Sequence, residues 1–120
     1  MASQKKILII EDDQSLSAAY RLKLSQHFAT QSAFTGDDGL QSAIDWIPDL
    51  IVLDLFLPGL SGQEVLTELK KNKKTKNIPV IVLTNLEGQH DNVIQLGATD
   101  CMIKTEISME EILKKIESHL

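Results

Sequence analysis

Four carboxylates, a threonine, an asparagine and a lysine follow apolar runs in this chain: Glu11, Asp12 and Asp13 after Lys6–Ile10, Asp54 after Leu50–Leu53, Thr84 and Asn85 after 79–83, and Lys104 after 101–103. An aspartate behind a single apolar run usually closes a strand or caps a turn. Here polar groups recur behind four such runs, and that makes Asp54 a candidate active-site carboxylate. If the runs lie side by side, Glu11, Asp12 and Asp54 come close enough to repel one another strongly. A hard divalent cation with oxygen ligands relieves that repulsion, and so does an ammonium, which Lys104 supplies. Mg²⁺ prefers one or two carboxylates with water and phosphate oxygens as its other ligands, so an acidic pocket of this size suits Mg²⁺ together with a phosphoryl group. Asp13 stands at the start of a helical pattern and reads as a helix N-terminal residue.

The elements that must bring these groups together are legible in the apolar pattern. Lys6–Ile10, Leu50–Leu53 and 79–83 are short, continuous, β-branched runs of the kind found in strands buried on both faces. Residues 29–34 alternate and read as a weaker strand at the sheet edge, and 101–103 as a short fifth strand. Between them the period changes to that of helices. Leu16, Ala19, Tyr20, Leu24 and Phe28 form one face. Leu40, Ala43 and Ile44 lie on a short helix that begins near Thr35 and ends at Pro48. Ser61 with Glu64 is a capping box before Val65, Leu66 and Leu69. A helix over 88–96 carries Val93, Ile94 and Leu96, with Gly97 as its terminator. Ser108 with Glu111 is a second capping box, before Ile112, Leu113, Ile116 and Leu120. Five alternations with short connections predict a five-stranded parallel α/β sheet covered by helices on both faces. Right-handed crossovers put the carboxyl ends of all the strands on one edge, where ligands bind in open α/β sheets.

Composition narrows the classes. The chain has 120 residues, 42% of them hydrophobic and 24% charged, which suits one globular domain over 1–120 and not a disordered segment. No apolar run is long enough to span a bilayer, and no signal peptide is visible at the N-terminus. Cys101 is the single cysteine, so neither an internal disulfide nor a cysteine zinc site forms, and a reducing cytoplasm fits. The net charge of −5 argues against direct nucleic-acid binding. The lysine-rich run 70–77 reads as a solvated helix end and loop, and Trp46 as a cover for the edge of the core. His27, His90 and His119 lack metal-ligand spacing, and Cys101 reads as a core thiol.

The ordered set Ile-Ile-Glu-Asp-Asp at 9–13, Asp-Leu-Phe-Leu-Pro-Gly-Leu-Ser-Gly at 54–62, Leu-Thr at 83–84 and Gly-Ala-Thr-Asp-Cys-Met-Ile-Lys at 97–104 resembles the receiver domain of bacterial two-component response regulators, over essentially the whole chain. The resemblance implies a flavodoxin-like fold with strand order 2-1-3-4-5. It implies that Asp54 accepts a phosphoryl group from a phosphohistidine on a sensor histidine kinase or histidine phosphotransfer protein, to form an aspartyl-phosphate. Asp12, Asp54 and the Phe56 carbonyl would ligate Mg²⁺ (or Mn²⁺), with Glu11 acting through water. Lys104 would neutralise phosphoryl oxygens, and Thr84 would hydrogen-bond one after transfer. Pro58 and Gly62 would shape the turn after the nucleophile. A downstream protein would dock on the fourth helix, fifth strand and fifth helix, with no nucleic acid or membrane involved.

Three positions depart from the family. Cys101 stands where an aromatic switch residue is usual. Thr105 replaces a proline after Lys104, and a cis bond there would cost ~3 kcal/mol. Asn85 replaces a small residue and can touch the phosphoryl group or a bound water. Three readings fit the chain: a stand-alone phosphoacceptor, the receiver of a longer hybrid kinase or DNA-binding regulator, or an interaction module that works without phosphorylation. A flavodoxin would need a phosphate-cradling loop where Glu11-Asp12-Asp13 stands, and a dehalogenase-type phosphatase would need an acid at Phe56.

Overall fold

The computed structural model describes residues 4–120; the leaderless reading of the first residues and the start of the 1–120 domain therefore lie partly outside the described residues. Five strands, β1 (Lys6–Ile10), β2 (Ala29–Ala33), β3 (Leu50–Leu53), β4 (Val80–Thr84) and β5 (Asp100–Ile103), alternate with α1 (Gln14–Leu24), α2 (Gly36–Trp46), α3 (Gly62–Lys71), α4 (His90–Gln95) and α5 (Met109–Ser118). All strand pairings are parallel and the order is β2-β1-β3-β4-β5. This is the flavodoxin-like arrangement expected from the sequence.

The three central strands send alternate side chains to opposite faces, as the pleat requires. Leu8, Ile10, Ile51, Leu53, Val80 and Val82 meet Val65, Leu66 and Leu69 of α3, with Ala43 of α2 and Val93 of α4. Ile7, Ile9, Leu50, Val52, Ile81 and Leu83 meet Tyr20 and Leu24 of α1 and Ile112, Leu113 and Ile116 of α5. Each fully buried Leu or Ile contributes about 1.5–3 kcal/mol, so the two layers hold the sheet rigid at its centre. β2 and β5 are the edges.

The helix starts are built as the sequence indicates. Asp13 Oδ1 accepts from the Leu16 amide (3.0 Å), and Thr35 Oγ1 from the Asp38 amide (3.1 Å). Both capping boxes form, at Ser61/Glu64 and Ser108/Glu111. Ile47, with φ of 50°, ends α2 just before Pro48.

Three apolar positions expected inside are exposed: Ala19, Ile94 (38%) and Leu120 (42%). The sheet covers a narrower stripe of α1 than the apolar period suggests, α4 has only six residues, of which Val93 alone is buried, and Leu120 lies beyond the end of α5. The basic run is also more structured than a solvated end. Lys70 Nζ donates to the Ile78 (2.8 Å) and Lys76 (3.2 Å) carbonyls, and the fully buried Thr75 hydroxyl donates to Leu69 O (2.7 Å). Burial pushes the Lys70 ammonium below its usual pKa.

Candidate functional site

The carboxyl ends of β1, β3, β4 and β5 open into a cleft of about 360 Å³ lined by Glu11, Asp12, Asp13, Asp54, Phe56, Thr84, Asn85, Leu86 and Lys104. Every residue assigned from the sequence to metal or phosphoryl contact lies there. Cys101, the assigned switch position, does not; its half-buried side chain packs against the α3 side of the core.

Asp54 directly follows β3, its amide still donating to Ile10 O (3.0 Å), and is 6% exposed. Its Oδ1 accepts from the Leu55 amide (2.8 Å) and, at the limit of a hydrogen bond, from the Phe56 amide (3.5 Å). Oδ2 accepts from Lys104 Nζ (2.9 Å). The same ammonium donates to Glu11 Oε1, and Glu11 Oε2 accepts from the Asp13 amide (3.1 Å). Lys104 thus bridges two buried carboxylates that would otherwise repel, one of the two remedies the sequence offered. Asp12 reaches solvent at the rim. Thr84 is fully buried, and its Oγ1 accepts from the Leu86 amide (3.2 Å), so the hydroxyl oxygen faces its own loop.

These contacts set the protonation balance. Burial raises the Glu11 pKa and the Asp54 charge adds to the rise; the Lys104 and Asp13 hydrogen bonds offset part of it. Burial acts to lower the Lys104 pKa, but the hydrogen bonds to Glu11 and Asp54 and the charges behind them win and hold it above the usual lysine value. Burial, with the nearby Asp100 charge, pushes the Cys101 thiol up, which lowers its thiolate fraction and slows its reactions.

The loop that follows Asp54 is held by contacts the sequence did not reveal. The Gly36 amide donates to Pro58 O (3.1 Å), and Asp37 Oδ2 accepts from the Leu60 amide (3.3 Å). Gly59 takes φ of 74°, a value that suits glycine. The Gly62 amide donates to Leu55 O (2.9 Å), and a side chain at Gly62 would collide with the Asp54 carbonyl and Leu55 Cα. Pro58 and the two glycines were the sequence signals of this tight return. Nothing in the sequence marked Leu86 as a cleft residue. The Lys104–Thr105 bond is trans, and a single 3-10 turn over Lys104–Glu106 follows it.

Carboxylate oxygens of Glu11, Asp12 and Asp54 lie within 4.8 Å of one another. An all-oxygen, multiply negative set of this kind fits a hard divalent cation. The family model of the response regulator receiver domain matches residues 7–117. The chain belongs to the response regulator receiver family.

Relatives of this receiver include the response regulator ArlR of Staphylococcus aureus, 34% identical over 118 residues, a match covering 96% of the receiver and 52% of ArlR. The chain spans about half the length of the curated relatives it matches. Among solved structures, the receiver domain of the Francisella response regulator 1452 aligns with a TM-score of 0.88 at 26% identity, over 96% of this receiver and 95% of that chain. The receiver domain of the sensor histidine kinase PA1611 from Pseudomonas aeruginosa, which has a magnesium ion coordinated in its active-site cleft, aligns with a TM-score of 0.86 at 26% identity, over 98% and 97%. In this receiver the Glu11–Asp12–Asp54 cluster is the acidic site of a magnesium-dependent signalling module, one that catalyses its own phosphorylation. Among the described residues, no helix is long and apolar enough to cross a membrane.

Proposed function

We propose that Asp54 is the phosphoacceptor of a two-component or phosphorelay pathway. The observation that carries this reading is the Asp54 carboxylate itself, buried at the end of the central strand and held by Lys104 beside Glu11 and Asp12. An Asp54 oxygen attacks phosphorus, the bond from phosphorus to the donor's histidine nitrogen breaks, and an acyl phosphate forms on the protein. The Leu55 amide and Lys104 orient the attacking carboxylate. After transfer Lys104 pairs with phosphoryl oxygens. The Thr84 hydroxyl turns from the Leu86 amide towards the phosphoryl group and draws 85–87 inwards, with Asn85 at the mouth of the cleft. Asp12, Asp54 and the Phe56 carbonyl are suited to be direct ligands. Both Glu11 oxygens already have protein partners, Lys104 and the Asp13 amide, which suits a contact through water. Magnesium bound there neutralises charge on the transferring group.

The donor is a sensor histidine kinase or a histidine phosphotransfer protein, and the output is a change in protein binding at the α4–β5–α5 face, in the cytoplasm. The same chemistry serves a stand-alone domain over 1–120 or the receiver of a longer regulator. Because Cys101 has one torsion to its sulfur and little bulk, the output depends on residues 85–87 and α4 and not on a rotating side chain at 101. The test is incubation with acetyl phosphate and MgCl2, read by intact mass. The protein gains one phosphoryl group, and Asp54→Asn gains none. Wild-type labelling of Asp54→Asn overturns the assignment.

A further inference from the structure

A second depression, of about 390 Å³, lies away from the phosphoacceptor cleft, along the open edge of β5 between the segment entering α4 and the outer side of α5. Its floor is apolar and half-buried: Cys101 from one face of the strand, Met102 from the other, and Ile103 and Ile107 at the end. Its rim carries Glu87, Glu106 and Glu111. Glu111 is fixed as an acceptor by the Ser108 amide (3.0 Å), and the one rim lysine, Lys115, is held by Asp100 (3.3 Å). The rim therefore presents a negative field to whatever enters. This matches a wider segregation of charge. Residues 69–86 hold five lysines and no acid, whereas 87–120 hold seven acids against three lysines, one of which, Lys104, is spent inside the cleft.

An apolar floor of this size takes one large side chain, and an acidic rim repels nucleic acid and anionic membrane while attracting cationic side chains. We propose that this groove receives a basic protein segment, one aliphatic or aromatic anchor flanked by lysine or arginine. The anchor rests over Cys101 and Met102, and the flanking cations meet Glu87 and Glu106. The proposal rests on the reading of α4–β5–α5 as the output face and names the chemistry of its partner. The two acids differ in what they report. Glu87 lies three residues after Thr84 and moves with the loop that phosphorylation draws inwards, whereas Glu106 sits on the turn after Lys104. Phosphorylation thus changes the spacing of the two acids, and with it the fit of a basic segment.

The test uses a fluorescein-labelled synthetic peptide with a central tryptophan flanked by lysines, and a counterpart with glutamates in place of the lysines. Binding to the whole protein is followed by anisotropy. The sole cysteine gives a second readout, the rate of Cys101 alkylation by N-ethylmaleimide measured by intact mass. The lysine peptide binds and slows alkylation, the glutamate peptide does neither, and the double variant Glu87→Lys/Glu106→Lys binds the lysine peptide about tenfold more weakly with its melting temperature kept. Absence of binding, equal binding by the double variant, or binding that leaves Cys101 alkylation unchanged overturns the proposal. Acetyl phosphate labelling of the same sample separates the two readings: labelling without peptide binding refutes only the groove, and peptide binding without labelling refutes only the phosphoacceptor.

Discussion

Replacing Lys104 by methionine keeps the length of the side chain and removes the one cation between Glu11 and Asp54. The lysine, glutamate and aspartate side chains are only 11%, 3% and 7% exposed. At 2.9 Å the attraction to Asp54 alone is about 6 kcal/mol for an effective dielectric constant of about 20, before the cost of desolvation is subtracted. Removing one partner of a buried pair costs about 3–5 kcal/mol net, and the solvent-open side of the cleft points to the lower end. A loss of about 3 kcal/mol lowers the melting temperature of a domain of this size by roughly 12 °C.

The penalty depends on pH with a definite sign. Glu11 already titrates above its ordinary value of 4.5, and without the lysine hydrogen bond it rises further. Between the unfolded and folded pKa values the folded state then binds more protons, so stability is lost as pH rises through the folded pKa. The penalty is therefore smaller at about pH 5 than at about pH 8. Magnesium narrows the gap at the higher pH, because it neutralises the same carboxylates; a site saturated a hundredfold above its Kd gains about 2.7 kcal/mol. Thermal melts of both proteins at the two pH values, with and without MgCl2, measure all three effects. A variant melting within about 2 °C of wild type at the higher pH without magnesium refutes the view that Lys104 offsets carboxylate repulsion.

Thr75→Val keeps the shape of a fully buried side chain but leaves the Leu69 carbonyl without its donor; urea denaturation should show a loss of about 1–2 kcal/mol with an unchanged m-value. Burial acts to raise the Asp100 pKa, but the Cys101 amide, Lys115 and His119 outweigh it and hold the pKa below its ordinary 3.8. The stability Asp100 contributes is complete above that value and is lost as pH falls through the folded pKa, so Asp100→Asn should melt with a shallower acid limb, and an identical limb would refute the assignment.

The residues that could be read without a structure were those whose signals are local. Continuous β-branched runs mark strands buried on both faces, and carboxylates or lysine directly behind them mark the binding edge. Ser61/Glu64 and Ser108/Glu111 are contained within four residues, and both capping boxes form. What stayed hidden depends on which distant backbone passes by. Lys70 looks like one more solvated lysine until the entry to β4 places the Ile78 carbonyl beside it. Thr75 sits in the most polar stretch of the chain and is fully buried. Asp37 reads as an acid in the first turn of α2, yet its carboxylate accepts from the Leu60 amide beyond Asp54. Ala19 and Ile94 erred the other way, because an apolar period gives a direction on a helix and not the width of the surface that covers it, and Leu120 did so because α5 ends at Ser118.

The ion pairs in the cleft also bear on the order in which the protein is made. Lys104 meets Glu11 across 93 positions of chain and Asp54 across 50. Contacts so distant form only after the intervening loops have closed. Synthesis delivers the amino terminus first. The acids therefore leave the ribosome long before the lysine that makes them tolerable side by side, and until that lysine is in place the two buried carboxylates lack their counter-charge. The charge balance of the cleft is thus completed only by the segment that follows β5, the last strand.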